Sequence, residues 1–505
     1  LGYVGFTIPY AFAMASLVTG RLSDAWIHHT RRWAIFSWFF LGIGILLGAY
    51  WAYIELGWGG YWAWDPVENA ALIPWLTGTA FLHSVMIQEK KKMLKVWNMV
   101  LILLTYCLCL LGTFITRSGV ISSVHSFTVS NLGPLFAAFL LLIFISSFLL
   151  LIYRLPMLKS TNRLESFVSR ESSFLFNNLF LLGIAFAVLW GTLFPILSEA
   201  VRDVKITVGP PFFNQVTVPI GLALLFLTGV CPLIAWRKAT WRHLVRNFRF
   251  PFLGGGITAA ALLIAGLTDF YPVLAFSLCV FVLGTLLQEF FRGTQARQRM
   301  YRESPTVAFF RLINRNRRRY GGYIVHLGIL LVMFGFTGSW NYQIEETASL
   351  KRGESMQIGS YKLIFNDTFS RKLRNAEQFG TVLSVWKGGK PIDTLYPARN
   401  FYPPPQTPST EVDIRSTLVE DLYVIFLEFD PQTGIAIFKA FVNPLVIWIW
   451  IGGLVVIIGA LFSVLPDRRR NRVPLAAEQL SSASGKAEPA DLRVAARVVE
   501  GETHG

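Results

Sequence analysis

With 505 residues, 53% of them hydrophobic and only 15% charged, and a mean hydropathy of +0.49, the chain falls in the membrane class and not among ordinary soluble domains. Its formal charge of +16 raises nucleic acid as a partner. The basic residues, however, gather in short links between apolar runs, which is the positive-inside pattern of membrane topology and argues for membrane lipid and no nucleic acid.

Apolar runs fall at 1–20, 33–56, 69–88, 96–116, 133–153, 174–197, 217–235, 252–269, 271–291, 321–339 and 441–465. A bilayer core takes about 20 apolar residues per helix, so these runs predict about eleven transmembrane helices. The first residue is Leu1, inside an apolar run, so the chain reads as a fragment or a processed form, and no signal peptide is recognisable. Alternate links carry the positive charge: Arg21, Arg31 and Arg32; Lys90, Lys91, Lys92 and Lys95; Arg154, Lys159, Arg163 and Arg170; Arg237 to Arg249; Arg292 to Arg319; and Arg468-Arg469-Arg470. The intervening links are poor: 57–68 has no lysine or arginine, 117–132 has Arg117 alone, and 198–216 has Arg202 and Lys205. The basic links are therefore expected to face the cytoplasm, with 57–68, 117–132 and the insert 340–440 outside.

That insert changes character. MQIGSYKLIF, TVLSVW and LYVIFLEFD are rich in β-branched and aromatic residues, and KGGKP and DPQTG read as turns between strands. The expected fold class is thus an all-α polytopic membrane protein with a small, mostly β extracytoplasmic domain inserted before the last helix. The domains run 1–339 (helical bundle), 340–440 (β-rich), 441–466 (last helix) and 467–505, a basic stretch and a tail whose Ala, Ser, Glu and Arg content reads as disordered. The four cysteines, Cys107, Cys109, Cys231 and Cys279, lie in or beside apolar runs with no CxxC spacing, as small buried hydrophobes do.

Between the second and third runs stands LGWGGYWAWDPVENAALIPW. Asp65, Pro66 and Glu68 form a helix-start signature, with a side-chain cap, proline at the first helical position and a capping box. Trp58, Tyr61, Trp62 and Trp64 are denser than an interfacial aromatic belt needs. Gly59 and Gly60 permit close backbone approach, so a platform for a flat apolar ligand explains the cluster better. Among seven histidines, His28, His29, His243 and His504 lie in basic links or the tail and read as solvated. His83 and His326 each lie inside an apolar run, where an ionisable group is expensive and usually functional. His83 is six residues before Glu89 and His326 six after Tyr320, so both lie about 9 Å from the cytoplasmic ends of their helices. Two imidazoles at one depth suit the axial ligation of a haem iron; two unrelated packed histidines, or a proton relay, remain open on spacing alone. His125, in RSGVISSVHSF, falls on the side of the aromatic loop.

The stretch WGGYWAWDPVENAALIPW closely resembles the tryptophan-rich WWD signature of haem-handling proteins in cytochrome c biogenesis. LGYVGFTIPYAFAMASLVTGRL, GTAFLHS, RSGVISSVHSF and YGGYIVHLGILL are similar to the cytochrome c maturation F family, the haem lyase component of the bacterial System I pathway. The resemblance covers the first through tenth helices. It implies a multi-pass protein of the bacterial inner membrane whose active face is periplasmic. It also implies a b-type haem between His83 and His326, and a second haem, the transferred substrate, ligated outside by His125 and by a histidine that the family carries just ahead of LGYVGF, beyond the first residue here. Tyr61 stands where the family often has tryptophan.

The implied reaction joins haem vinyl groups to the thiols of a CxxCH motif in apocytochrome c. Trp58, Trp62 and Trp64 are then expected to hold the macrocycle and Asp65 to fix the loop. Arg117 is the candidate partner of a propionate, and the membrane haem would relay electrons, with quinol as a candidate donor. A haem chaperone and a thiol-reducing partner join apocytochrome c as expected partners. A transporter or haem exporter without lyase activity, or a cytochrome b-type subunit, are the rival readings. A transporter would not need the outer aromatic loop with His125, and a cytochrome b-type subunit would explain His83 and His326 but not the outer loop.

Overall fold

The structure is a computed structural model, and it describes residues 1–118, 132–158, 166–235, 240–403 and 408–465. Thirteen α-helices occur in this part of the chain: α1 (Gly2–Gly5), α2 (Thr7–Thr19), α3 (Ala25–Glu55), α4 (Pro66–Lys91), α5 (Lys95–Ser118), α6 (Gly133–Arg154), α7 (Arg170–Arg202), α8 (Pro210–Leu233), α9 (Trp241–Ile264), α10 (Phe270–Tyr301), α11 (Pro305–Arg315), α12 (Arg317–Asn341) and α13 (Ile447–Val464). Among the described residues eleven helical segments are long and apolar enough to cross a membrane, with α1 and α2 forming one of them. The helical bundle with a β insert before its last helix is the fold class expected from the sequence.

Small residues set how closely the helices approach. Gly321, Gly328 and Gly335 of α12 recur every seven positions; Gly321 faces Gly459 of α13, Gly328 faces Gly452, and Gly335 faces Ile449. A Cβ on Gly328 would stand 2.6 Å from the carbonyl oxygen of Gly452 and from the amide nitrogen of Val456. Backbone thus meets backbone, the small-residue packing that lets membrane helices associate where burial of apolar surface gives no advantage over lipid. This contact holds α12, and with it His326, at a fixed depth against α13. At the basic end, Glu89 of α4 accepts from Arg31 of α3 and from Arg318 of α12, the latter at 2.7 Å. Lys91 of α4 pairs with Glu171 of α7 at 3.2 Å. Residues from four basic links therefore converge on one end of the bundle.

Ten strands follow α12: β1 (Ile344–Leu350), β2 (Ser355–Ile358), β3 (Tyr361–Lys372), β4 (Glu377–Lys387), β5 (Lys390–Leu395), β6 (Ala398–Phe401), β7 (Ser409–Glu411), β8 (Asp413–Ser416), β9 (Glu420–Asp430) and β10 (Ile435–Pro444). They make an antiparallel sandwich of one sheet in the order β1-β10-β9-β8 and another in the order β2-β3-β4-β6-β7, with β5 on β4. Gly388 and Gly389 at φ +58° and +76° turn β4 into β5, and Gly434 at φ +67° turns β9 into β10; these are the KGGKP and DPQTG signals. Tyr361, Leu363 and Phe365 alternate inward on β3, as do Ala436, Phe438, Ala440 and Val442 on β10.

Strand β9 departs from alternation because both of its faces are covered. Leu422, Val424 and Phe426 fill the sandwich core. Tyr423 and Ile425 point the other way, into a cluster with Tyr53 of α3, Tyr61 of the aromatic loop and Ile449 of α13. The continuous apolar run of LYVIF is the signature of that double burial. The same ambiguity moves a boundary. The apolar run from 441 predicts helix, but residues 441–444 complete β10 and α13 starts at Ile447. Phe441 and Val442 suit either element, and pairing with β1 and β9 decides for strand. The amphipathic α11 inside the basic link had no counterpart among the expected elements. The tail 467–505, expected to be disordered, lies outside the described residues.

Candidate functional site

Asp65 starts α4 as the sequence predicts. Its side chain accepts from the amide of Val67 at 2.9 Å, while Glu68 reaches back to the amides of Asp65 and Ala63 at 3.1 and 2.9 Å. This capping box fixes the last turn of the loop. Trp64, just before it, has φ +59°, a left-handed conformation that costs a non-glycine residue about 1–2 kcal/mol. Three contacts hold it there. Asn69 donates to the Trp64 carbonyl oxygen at 2.9 Å, the indole N–H donates to Asn214 of α8 at 2.8 Å, and the ring stacks on Phe213 at 5.0 Å. The strain aims the indole into the bundle.

The other rings of the loop do different things. Trp62 lies edge-on to Trp64, with centroids 5.9 Å apart and planes at 89°. Trp58 donates its indole N–H back to the Ala52 carbonyl at 3.2 Å. Tyr61 is buried, shares a 2.7 Å hydrogen bond with Ser339, and lies parallel to Phe336 and Trp340 at 5.5 and 6.3 Å. Phe336 and Trp340 line the same cavity as Trp64, so Tyr61 supports that wall from behind.

The β-sandwich grips the loop from outside. Asn443 donates to the Gly59 carbonyl at 3.2 Å and to the Tyr53 hydroxyl at 3.1 Å, and Tyr53 donates to Asp421 at 3.1 Å. Gln343 also reaches the Gly59 carbonyl at 3.2 Å. Gly59 has φ +78°, and a Cβ there would stand 2.6 Å from the ring of Phe441. Burial pushes the Asp421 carboxyl up to about 6, outweighing the hydrogen bonds that favour its charged form, and pushes the Tyr423 hydroxyl up to about 12.

Below the loop opens a cavity of about 870 Å³, walled by Trp38, Trp64, Trp75, Phe336 and Trp340 and running down to His83 and His326. Pockets of this size and apolar character take organic cofactors. The two imidazoles, 243 residues apart in sequence, face each other with ring centres 6.2 Å apart and planes 11° from parallel. Two imidazoles that bind one metal from opposite sides through bonds of about 2 Å have ring centres about 6 Å apart. His83 Nδ1 lies 2.8 Å from the Thr79 carbonyl oxygen. That contact makes Nδ1 the protonated nitrogen and leaves Nε2 with a lone pair, the arrangement that fixes a metal-binding histidine. His326 Nδ1 is buried with no hydrogen-bond partner. Gly322, one helical turn before His326, lines the cavity, and a Cβ there would meet no atom within 4 Å. These observations fit a flat macrocycle edged against α12 with its iron between the rings. Among the described residues no group of three or more His, Cys, Asp or Glu side chains is placed to hold a metal ion.

His125 lies outside the described residues. Arg117 is exposed near the end of α5. Asn214, Phe213 and Gly322 escaped the sequence reading. Gly322 had a legible signal, since the i−4 spacing puts it on the same helix face as His326; Asn214 had none.

The matches to known proteins follow the same division of the chain. The family model "Cytochrome C assembly protein" covers residues 1–121, and "CcmF C-terminal beta-sandwich" covers 341–444. Bundle, aromatic loop and sandwich together define a multi-pass inner-membrane protein of the cytochrome c assembly class. The chain is 35% identical to the cytochrome c-type biogenesis protein CcmF of Haemophilus influenzae over 94% of its own length and 72% of the relative's, and 37% identical to that of Pseudomonas aeruginosa over 94% and 71%. A solved structure named Cytochrome c Heme Lyase CcmF superposes with a TM-score of 0.76 at 30% identity, over 92% of this chain and 70% of that one. The chain belongs to the CcmF family of cytochrome c-type biogenesis proteins.

Proposed function

We propose that this protein is a haem lyase of cytochrome c biogenesis, working on the periplasmic side of the inner membrane. It holds the haem to be delivered at the loop 57–69 and joins its vinyl groups to the CxxCH thiols of apocytochrome c. In each addition the thiol S–H adds across a vinyl C=C, so that a C–S bond forms, the proton ends on carbon, and no net oxidation occurs. The observation that carries the reading is the facing pair His83 and His326 at the foot of a cavity whose upper wall is Trp64.

The chain's own residues work mainly by positioning. Asp65 and Glu68 lock the loop onto α4, Asn69 and Asn214 hold Trp64, and Trp58 and Trp62 complete the aromatic surface. His125 is the residue that would bind the iron of the delivered haem, and Arg117 would pair with one of its carboxylates. His83 and His326 would hold a b-type haem, which when bound supplies one-electron chemistry. Trp38, Trp75 and Phe336 keep water from it. Quinol is the proposed electron donor. The sandwich, tied to Gly59 through Asn443, is the docking body for apocytochrome c, a haem chaperone or a thiol-reducing partner.

Two measurements test this. The purified protein is expected to show bis-histidine haem bands that disappear in His83→Ala and in His326→Ala; a colourless wild-type protein would remove the membrane haem. Covalent cytochrome c formation is expected to fall in Trp62→Ala and His125→Ala, and normal product from both would remove the lyase mechanism.

A further inference from the structure

The turn between β8 and β9, Thr417-Leu418-Val419, carries two large apolar side chains that the protein leaves bare: Leu418 is 63% exposed and Val419 66%. Hydrogen bonds fix its height against the helices. The Leu418 carbonyl accepts from the indole N–H of Trp448 at 2.9 Å, and the Val419 carbonyl accepts from the amide of Leu445 at 2.8 Å. Leu445 and Trp448 in turn pack on α12 below its outer end. A Cβ on Gly335 would stand 3.1 Å from the Leu445 carbonyl oxygen, Gly338 faces the Leu445 side chain, and Phe334 meets the Trp448 ring edge-on at 5.9 Å. The mainly apolar stretch of α12 from Gly321 to Trp340 has 20 residues, about 30 Å of helix and one hydrocarbon thickness. Trp340 then marks the boundary, where indole rings gather. Gly338 and Gly335 lie two and five residues before it, which puts the Val419 backbone about 3–8 Å below that level.

The backbone of the turn is also satisfied within the protein. Thr417 donates its amide to the Glu420 carbonyl at 3.1 Å, and its hydroxyl donates to the same oxygen at 2.7 Å. That hydroxyl accepts from the amides of Val419 and Glu420 at 3.3 and 3.0 Å. The flanking charges turn away: Glu420 pairs with Lys387 at 2.8 Å, and Asp421 is buried against Tyr53. Bare apolar side chains on a backbone that needs no water are what hydrocarbon requires of a non-helical segment. We propose that this turn is a membrane anchor, with Leu418 and Val419 among the acyl chains of the leaflet on the side of the sandwich. Removing them from water is favourable in proportion to their apolar area. The sandwich is thereby seated on the bilayer at a third point besides α12 and α13. Strand β9 runs from this point to Asp421 and Tyr423, which meet Tyr53 behind the aromatic loop, so the leaflet sets the height at which sandwich and loop meet. The anchor is independent of what the cavity binds.

The test places a nitroxide label at Leu418→Cys or at Val419→Cys in full-length protein in phospholipid nanodiscs, with the partly exposed Cys231 replaced by serine. A label at Gln432→Cys, in the turn at the far end of β9, is the control in water. Collisions of the label with oxygen, which enters hydrocarbon, are compared with collisions with a hydrated nickel chelate, which does not. The oxygen-to-nickel ratio at 418 or 419 is expected to exceed that at 432 by at least about tenfold. Ratios that fall short of this at both positions would put the turn in water or among headgroups and overturn the anchor. Two separate label positions keep the test open should one labelled variant fail to fold.

Discussion

Gly322→Leu separates the cavity from the fold. A Cβ at 322 would meet no heavy atom within 4 Å, so the substitution starts into open space in the haem-free protein. Replacing glycine within a helix also gains about 1 kcal/mol of helix propensity. The same side chain projects into the cavity, one turn from His326. A macrocycle edged against α12 must then move or lose its axial geometry. Overpacking of this kind costs about 1–3 kcal/mol, which is about 5- to 150-fold in haem affinity. The assay compares haem-free thermal midpoints with bis-histidine absorbance after haem titration. An unchanged or higher midpoint with haem binding weakened by that factor is the expected result. Full bis-histidine absorbance at wild-type haem concentrations would show that no flat ligand lies against Gly322. A fall in the haem-free midpoint would refute the open space itself.

Gly328→Ala is expected to do the reverse. Its Cβ would meet the α13 backbone at 2.6 Å, so the midpoint should fall by the equivalent of about 1–3 kcal/mol even without haem. Asp65→Ala is expected to cost about 0.5–2 kcal/mol through loss of the helix cap and to lower covalent cytochrome c formation, and Asp65→Asn is expected to restore most of both. Gly59→Ala forces a side chain to φ +78° against Phe441; covalent product should fall while the bis-histidine bands of the membrane haem stay unchanged.

Asp421 gives a pH dependence with a definite sign. Its folded value is raised to about 6 from the ordinary 3.8, so the folded protein binds this proton more tightly than the unfolded chain does. The stability it contributes is fully present below pH 4 and is lost as pH rises through about 6. Thermal midpoints measured from pH 5 to 8 are therefore expected to fall with pH in wild-type protein and to flatten across that window in Asp421→Asn, with the variant at least as stable at pH 8. A wild-type slope retained in the variant would contradict the assignment.

The sequence by itself determined what depends on composition and on short spacing. Helix length against bilayer thickness fixed the eleven apolar spans. The alternation of basic links set which side each loop is expected to face, the capping signature at Asp65 placed the start of α4, and His83 and His326 stood out because an ionisable group inside an apolar run is costly. Each of these is a local property, readable without knowing what lies opposite.

Only the tertiary structure decided the rest. The 6.2 Å approach of His83 to His326 depends on how α4 and α12 pack. Whether an aromatic residue of the loop faces the cavity, as Trp64 does, or braces a wall, as Tyr61 does, depends on Asn214 and Ser339, which lie 150 and 278 residues away. The limit of β10 was illegible in FVNPLVIWIW because an apolar run fits strand and helix alike until its hydrogen-bonding partners are in place. Packing between distant segments carries no period along the chain, so a single sequence holds the chemistry of such a site without showing which groups will meet.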